Sequence, residues 1–387
     1  MTQVSAGPQA LDLARDLIRC SSVTPVDAGV LDVLQAALTD LGFTCHRLTF
    51  SDVDTPDVEN LYARIGTAKP TFCFAGHVDV VPVGDDAAWT QDPFAAEIVD
   101  GQLYGRGATD MKSAIACMVE ASARVLADAG DGGPNGSIAF LITGDEEGPA
   151  INGTVKVLDW MKQQGETIDA CLVGEPTNPN TLGEMAKIGR RGSFSGHLQV
   201  TGTQGHIAYP HLADNPLPRL IAMLDRIARL HLDDGNAHFQ PSNLEITTVD
   251  VGNTASNIIP AKGEARFNVR YNTLQDAAGL ERKVRAACDA VGGSYSLTVR
   301  NSGDPFLTAP GPLTEVLSSA IQAELGVTPD LSTTGGTSDA RFIKDACPVV
   351  EFGLVSQTMH KVDERAGVDD IAHLTNIYER VLRGFFG

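Results

Sequence analysis

Thr71-Phe72-Cys73-Phe74-Ala75-Gly76-His77-Val78-Asp79 is a short apolar run that ends on an imidazole, with a carboxylate two residues beyond it. Two other stretches repeat the pattern. Ser137–Thr143 precedes Asp145-Glu146-Glu147, and Ala170-Cys171-Leu172-Val173-Gly174 precedes Glu175. Such runs read as buried strands of a parallel sheet. In open α/β sheets, ligands bind beyond the carboxyl ends of the strands. Residues far apart in the chain then converge on one crevice. Asp110 and His360 are further candidates for it. Two imidazoles and several carboxylates suit zinc or a similar divalent ion.

The 387 residues are enough for two domains with a sizeable core. A hydrophobic fraction of 43% and a charged fraction of 20% are ordinary for a soluble globular chain. The net charge of −20 argues against holding nucleic acid or an anionic membrane by bulk charge. It leaves room for a small anionic substrate, because a few arginines can reverse the field inside a cleft. Seven widely spaced cysteines without a C-x-x-C pair read as reduced thiols of a cytoplasmic protein. No signal peptide and no apolar window of membrane-spanning length is expected.

Outward from the quoted run, helices are expected at 10–19 and 30–41, and a strand at 60–65. An amphipathic helix follows Asp110, with Ile115, Met118, Val119, Ser122, Val125 and Leu126 on one face. Residues 130–136 form a turn cluster, and 155–162 a helix. This alternation indicates an α/β fold with a mixed, largely parallel sheet flanked by helices. After about Glu184 the order becomes β-α-β-β-α-β: strand 193–201, helix 217–230, strands 244–251 and 265–271, helix 279–291, strand 296–300. The expected division is an α/β domain of 1–190 and 302–387, with a smaller α+β domain of 191–301 inserted. A helix at 313–325 and a strand at 349–354 complete the first.

His77-Val78-Asp79 places two side chains on one face of an extended segment. A ligating imidazole usually has its other ring nitrogen held by a carboxylate or carbonyl, and Asp79 is the candidate. Asp110 lies in Gly105-Arg106-Gly107-Ala108-Thr109-Asp110-Met111-Lys112, whose glycines permit the tight turn a bridging carboxylate requires. The acids 145–147 repel one another unless something positive sits among them. Each motif alone has an ordinary alternative, such as an N-capping Asp or a solvated acidic loop. Their coincidence at several strand ends favours a metal site.

These motifs resemble the di-zinc metallopeptidase family of aminoacylases, glutamate carboxypeptidases and N-acyl amino acid deacylases. The carriers are Gly76-His77-Val78-Asp79-Val80-Val81-Pro82, the Gly105 to Lys112 segment, Asp145-Glu146-Glu147-Gly148 and Gly174-Glu175-Pro176. Gly189-Arg190-Arg191-Gly192-Ser193, the segment 204–216 and Thr333-Thr334-Gly335-Gly336-Thr337-Ser338-Asp339 narrow the likeness to deacylases. The resemblance implies a zinc-peptidase-like catalytic domain and two Zn2+ per subunit, with Co2+ able to substitute. His77 and Glu175 would hold one ion, Glu147 and His360 the other, and Asp110 both. Glu146 would be the general base, with Asp79 orienting His77. The inserted domain would form a homodimer and place His206 in the partner's site, with Asn257 similarly near substrate. Arg190, Arg270, Tyr209, Gly336 and Thr337 would be substrate contacts. The chain departs from the pattern at Ser356, where Asn is usual, and at Gly144, where Ser is frequent.

Two ions about 3.5–4 Å apart can share a water and lower its pKa towards neutrality. Glu146, beside a ligand but not itself one, is placed to take that water's proton. The oxyanion formed on attack needs a donor, for which His206 is the candidate, with Gly205 permitting close approach. Arginines bind carboxylates bidentately, so Arg190, Arg191 and Arg270 suit an anionic N-acyl amino acid. Acetylornithine deacetylases and carboxypeptidases are the nearest alternatives. A non-catalytic metal-binding protein is a remote one, which would have no need of Glu146.

Overall fold

The computed structural model describes residues 9–129 and 134–387, so 130–133 of the expected turn at 130–136 lie outside the described residues. The chain divides into two compact units.

The larger unit comprises Met1–Ile188, Thr308–Ser332 and Ser338–Gly387. Its eight-stranded mixed sheet runs, in spatial order, Thr44–Asp52, Thr55–Ile65, Ser137–Thr143, Thr71–His77, Ala170–Val173, Val349–Glu351, Met185–Lys187 and Asp330–Ser332. The four central strands, from Ser137–Thr143 to Val349–Glu351, are mutually parallel. Every residue in them is buried, as the apolar runs require. Register pairs His77 with Thr143, and Ala75 with Val173. The residues that follow these strands therefore leave the sheet along the same edge.

The helix after Asp110 spans Lys112–Ala129; of the expected face Ile115, Met118, Val119, Ser122 and Val125 are buried, and Glu120, Arg124 and Asp128 form a less buried stripe opposite. Eleven of its first twelve residues are buried. It packs between Ala10–Arg19 and Val368–Phe386 while also touching the central strands. A helix covered on several sides needs small and apolar residues on each covered side, and Ala114, Ala116, Ala121 and Ser122 supply them. Among the described residues no helix is long and apolar enough to cross a membrane.

The smaller unit comprises Gly189–Leu307 and Thr333–Thr337. Its antiparallel sheet has the order Asn243–Asp250, Lys262–Tyr271, Gly192–Thr201, Tyr295–Gly303. Helices Leu217–Ala228 and Ala277–Asp289 share a core with it that includes Phe194, Leu198, Ile227, Phe267 and Val284. The strand Lys262–Tyr271 alternates between buried and less buried positions, as one covered face requires.

The unit boundaries differ from those expected at 190/191 and 301/302. Tyr295–Gly303 stays paired as far as Ser193 with Gly303, and Phe306–Leu307 then pairs with Gly189–Arg190. Residues 333–337 also belong to the smaller unit. Thr333 Oγ1 donates to the His238 carbonyl, and Arg190 Nη1 donates to the Gly336 carbonyl at 3.1 Å.

Candidate metal centre

Seven of the expected residues meet in the larger unit. Asp110 is central. Its Oδ1 lies 3.1 Å from His77 Nε2, and its Oδ2 lies 3.1 Å from His360 Nε2. Glu175 Oε1 stands 3.9 Å from His77 Nε2, and Glu147 Oε1 stands 2.7 Å from His360 Nε2. The donor atoms of His77, Asp110 and Glu175 all lie within 4.8 Å of one another, as do those of Asp110, Glu147 and His360. One carboxylate thus serves two triads, each with one nitrogen and two carboxylates. That donor set fits a pair of divalent cations sharing Asp110.

The ring of His77 is oriented from behind. Its Nδ1–H donates to the Asp79 main-chain carbonyl at 2.9 Å, which leaves Nε2 directed at Asp110. Asp79 therefore holds the ring chiefly through its backbone, with its carboxylate at 3.6 Å. That carboxylate has a second task. Its two oxygens accept the amides of Glu146 at 3.2 Å and Glu147 at 3.0 Å, which fixes the acidic loop above the strand ends.

The acidic triplet splits by direction. Asp145 turns into the protein, where Oδ2 accepts the amides of Ile151 and Asn152 at 2.8 and 2.9 Å. Glu147 joins His360. Glu146 stays outside both triads that share Asp110, yet its donor atom lies within 4.8 Å of those of His77 and Glu147. Gly144 departs from the family pattern for a steric reason: a Cβ there would lie 2.9 Å from the Glu59 carbonyl oxygen. Ser356, the other departure, donates its hydroxyl to the Asn178 carbonyl at 3.2 Å.

The charges follow from this packing. Burial opposes protonation of His77, but the Asp110 hydrogen bond and the charges of Asp110, Glu175 and Asp79 hold it well above the usual histidine range. Hydrogen bonds to Asp110 and Glu147 raise His360 to about 10. Burial works against ionised Asp110, yet His360 and His77 keep it below the usual carboxylate range. Burial, then the neighbouring Glu175, push Glu146 well above it. Asp79 rises to about 6 for want of solvent. The cluster is thus rich in negative charge and calls for cations at its centre.

The other expected residues lie in the smaller unit. Arg190 is buried and holds the 333–337 loop through Gly336. Arg270 faces Ser193 across the sheet, and its charge, after burial, depresses the Arg191 guanidinium. Arg191 also donates to Asn243 Oδ1 at 2.8 Å. His206 pairs with Ile258 in a two-stranded ribbon, beside the Ile207 to Asn257 hydrogen bond and 5.6 Å from the Tyr209 ring. His206, Tyr209 and Asn257 are exposed, and Thr337 is half-buried. A Cβ at Gly205 would meet the Ala213 Cβ at 2.6 Å, so the ribbon needs glycine there for its own packing.

Residues 73–384 match peptidase family M20/M25/M40. The chain belongs to this family. Among its curated relatives is a succinyl-diaminopimelate desuccinylase from Rhodospirillum centenum, 60% identical over 379 residues and covering 98% of each chain. A second, from Parvibaculum lavamentivorans, is 56% identical and covers 100% of this chain and 99% of its own. Among solved M20 structures, the metallo-carboxypeptidase Sso-CP2 from Sulfolobus solfataricus has a TM-score of 0.78 at 17% identity, covering 97% of this chain and 99% of its own. The YXEP protein of Bacillus subtilis, described as a dinuclear metal-binding peptidase, has a TM-score of 0.70 at 16% identity, covering 97% of each chain. At those identities the likeness is one of fold.

Proposed function

We propose that this chain is a di-metal amidohydrolase that cleaves N-succinyl-L,L-2,6-diaminopimelate to succinate and L,L-2,6-diaminopimelate, a step towards lysine and cell-wall precursors in the bacterial cytoplasm. One observation carries the reaction class: each oxygen of Asp110 meets a different imidazole at 3.1 Å, with a further carboxylate beside each. The acyl group is taken from relatives that are 55–60% identical over nearly their whole length.

His77, Asp110 and Glu175 would hold one cation, and Asp110, Glu147 and His360 the other. The mixed nitrogen and oxygen donors suit zinc, and cobalt would accept the same ligands. Bound there, the pair would polarise the amide carbonyl and bring a water's pKa near neutrality. Glu146 accepts the proton of that water as it attacks, then delivers it to the leaving amine. Asp79 keeps Glu146 in place through the amide at 146. Arg190 and Arg270 would bind the substrate carboxylates, with Tyr209, Asn257, Gly336 and Thr337 as further contacts.

With cations restored, turnover of the succinylated substrate is expected to exceed that of N-acetylornithine by roughly 10²-fold or more. A site built for an additional carboxylate leaves polar groups unpaired when that carboxylate is missing. Comparable turnover of the two compounds would remove the substrate assignment. Turnover that survives chelation would remove the metal pair.

His206 would stabilise the oxyanion in the site of a second copy. Its Nδ1 accepts the Ala208 amide at 3.0 Å, so neutral His206 carries its proton on Nε2, the tautomer that can donate. Support for a homodimer through the smaller unit comes from Asn243–Asp250, which is an edge strand there. Val249 on it is 54% exposed, and Ile221 on the adjacent helix is 66% exposed. Unpaired strand edges beside apolar surface favour association. His206→Ala is expected to lose turnover and keep its cations. Mixing it with Glu146→Gln under conditions that exchange subunits should recover activity that neither variant has alone. No recovery, with exchange demonstrated, counts against a shared site.

A further inference from the structure

Glu364 supplies no atom to either triad, yet it anchors the loop that carries their shared residue, Asp110. Its side chain is fully buried. Oε1 accepts three main-chain N–H groups, from Gly107 at 3.1 Å, Thr109 at 3.0 Å and Asp110 at 3.1 Å. Oε2 accepts from Arg106 Nη1 at 2.6 Å. Gly107 has φ +88°, and a Cβ there would stand 2.8 Å from Val80 Cγ1, so only glycine presents its amide this way. Arg106, also buried, extends the anchor outwards. Its Nη1 donates to the Lys361 carbonyl and its Nη2 to the Pro82 carbonyl, both at 3.2 Å. Lys361 adjoins His360, and Pro82 ends the segment that begins with His77. The face of Trp89 lies 5.3 Å from the guanidinium.

We propose that the Glu364–Arg106 pair is a positioning device that sets Asp110 against both His77 and His360, so that the two cation sites are completed together. This rests on the di-metal reading above. Three amides from a four-residue stretch, Gly107, Thr109 and Asp110, converge on one oxygen and fix the turn that leads into Asp110. The guanidinium ties that same loop to the two segments that supply the imidazoles. A buried ion pair is a poor way to gain stability, because its desolvation offsets most of its attraction. The geometry gives the pair a different use: holding a bridging ligand before the cations arrive. Partners of this kind typically carry 10–100-fold in metal affinity.

The test is a calorimetric titration of metal-depleted protein with Co2+, read together with the visible absorption of the Co2+ form. Wild-type protein should take up two cations per chain. Glu364→Gln keeps the shape but turns an amide NH2 against Arg106 or the loop. It should lose about 10–100-fold in affinity for at least one cation and shift the Co2+ bands, with circular dichroism unchanged. Arg106→Lys keeps the charge pair but cannot reach both carbonyls, and should show the same two changes to a smaller degree. It becomes the deciding variant if Glu364→Gln does not fold. Wild-type affinity and spectrum in the deciding variant overturn the inference and leave the di-metal reading standing. A wild-type chain that binds no second cation overturns both.

Discussion

Glu146→Gln is expected to lower turnover of the succinylated substrate by roughly 10²–10⁴-fold, the range associated with losing a positioned general base. Cation uptake should be unchanged. Glu146 lies outside both triads that share Asp110, and glutamine preserves the amide that Asp79 holds. Glutamine cannot accept a proton near neutral pH, so the water loses its acceptor while the rest of the site stays intact. The effect should appear in kcat with little change in KM, because the group acts on the reacting water rather than on substrate binding. Near wild-type turnover with both cations bound would assign the base to another residue.

Asp110→Asn should be more severe. The residue faces both imidazoles through separate oxygens, and asparagine replaces one oxygen with an NH2 that no cation accepts. Both sites are damaged by one substitution, whereas changing Glu175 or Glu147 damages one. Without the ion pair a water returns towards its ordinary pKa of about 15.7, so the loss should exceed roughly 10⁴-fold. An independent readout is thermal. Added Zn2+ should raise the melting temperature of the wild-type chain through linkage, and should do little for Asp110→Asn. A variant that still gains stability from stoichiometric Zn2+ and still turns over would show that Asp110 does not bridge.

The sequence made the strand ends legible because parallel strands covered on both faces leave an unmistakable run of apolar residues. Phe72-Cys73-Phe74 and Ile138 to Ile142 are of that kind, and the charged groups directly beyond them stand out against it. The order of elements in the smaller unit was readable for a related reason, since its strands alternate over a single covered face. Three-residue strands such as Met185–Lys187 and Asp330–Ser332 are too short to express any period. Glu364 was invisible for another reason. In Lys361-Val362-Asp363-Glu364-Arg365 it looks like one member of a solvated charged stretch, and only the fold reveals an oxygen surrounded by three amides. Asp145 shows the converse. Its two neighbours enter the cluster while it caps the loop from inside, and adjacency along the chain carries no direction.

Asn243–Asp250 has a further implication for a chain living alone. An outer strand with no strand partner on its far side among the described residues is a template on which another extended polypeptide could pair, including a half-folded sibling. Pairing with a second copy would sequester that hazard in the same act that lends His206 to a neighbour. Catalytic competence and colloidal safety would then rise and fall together with protomer concentration.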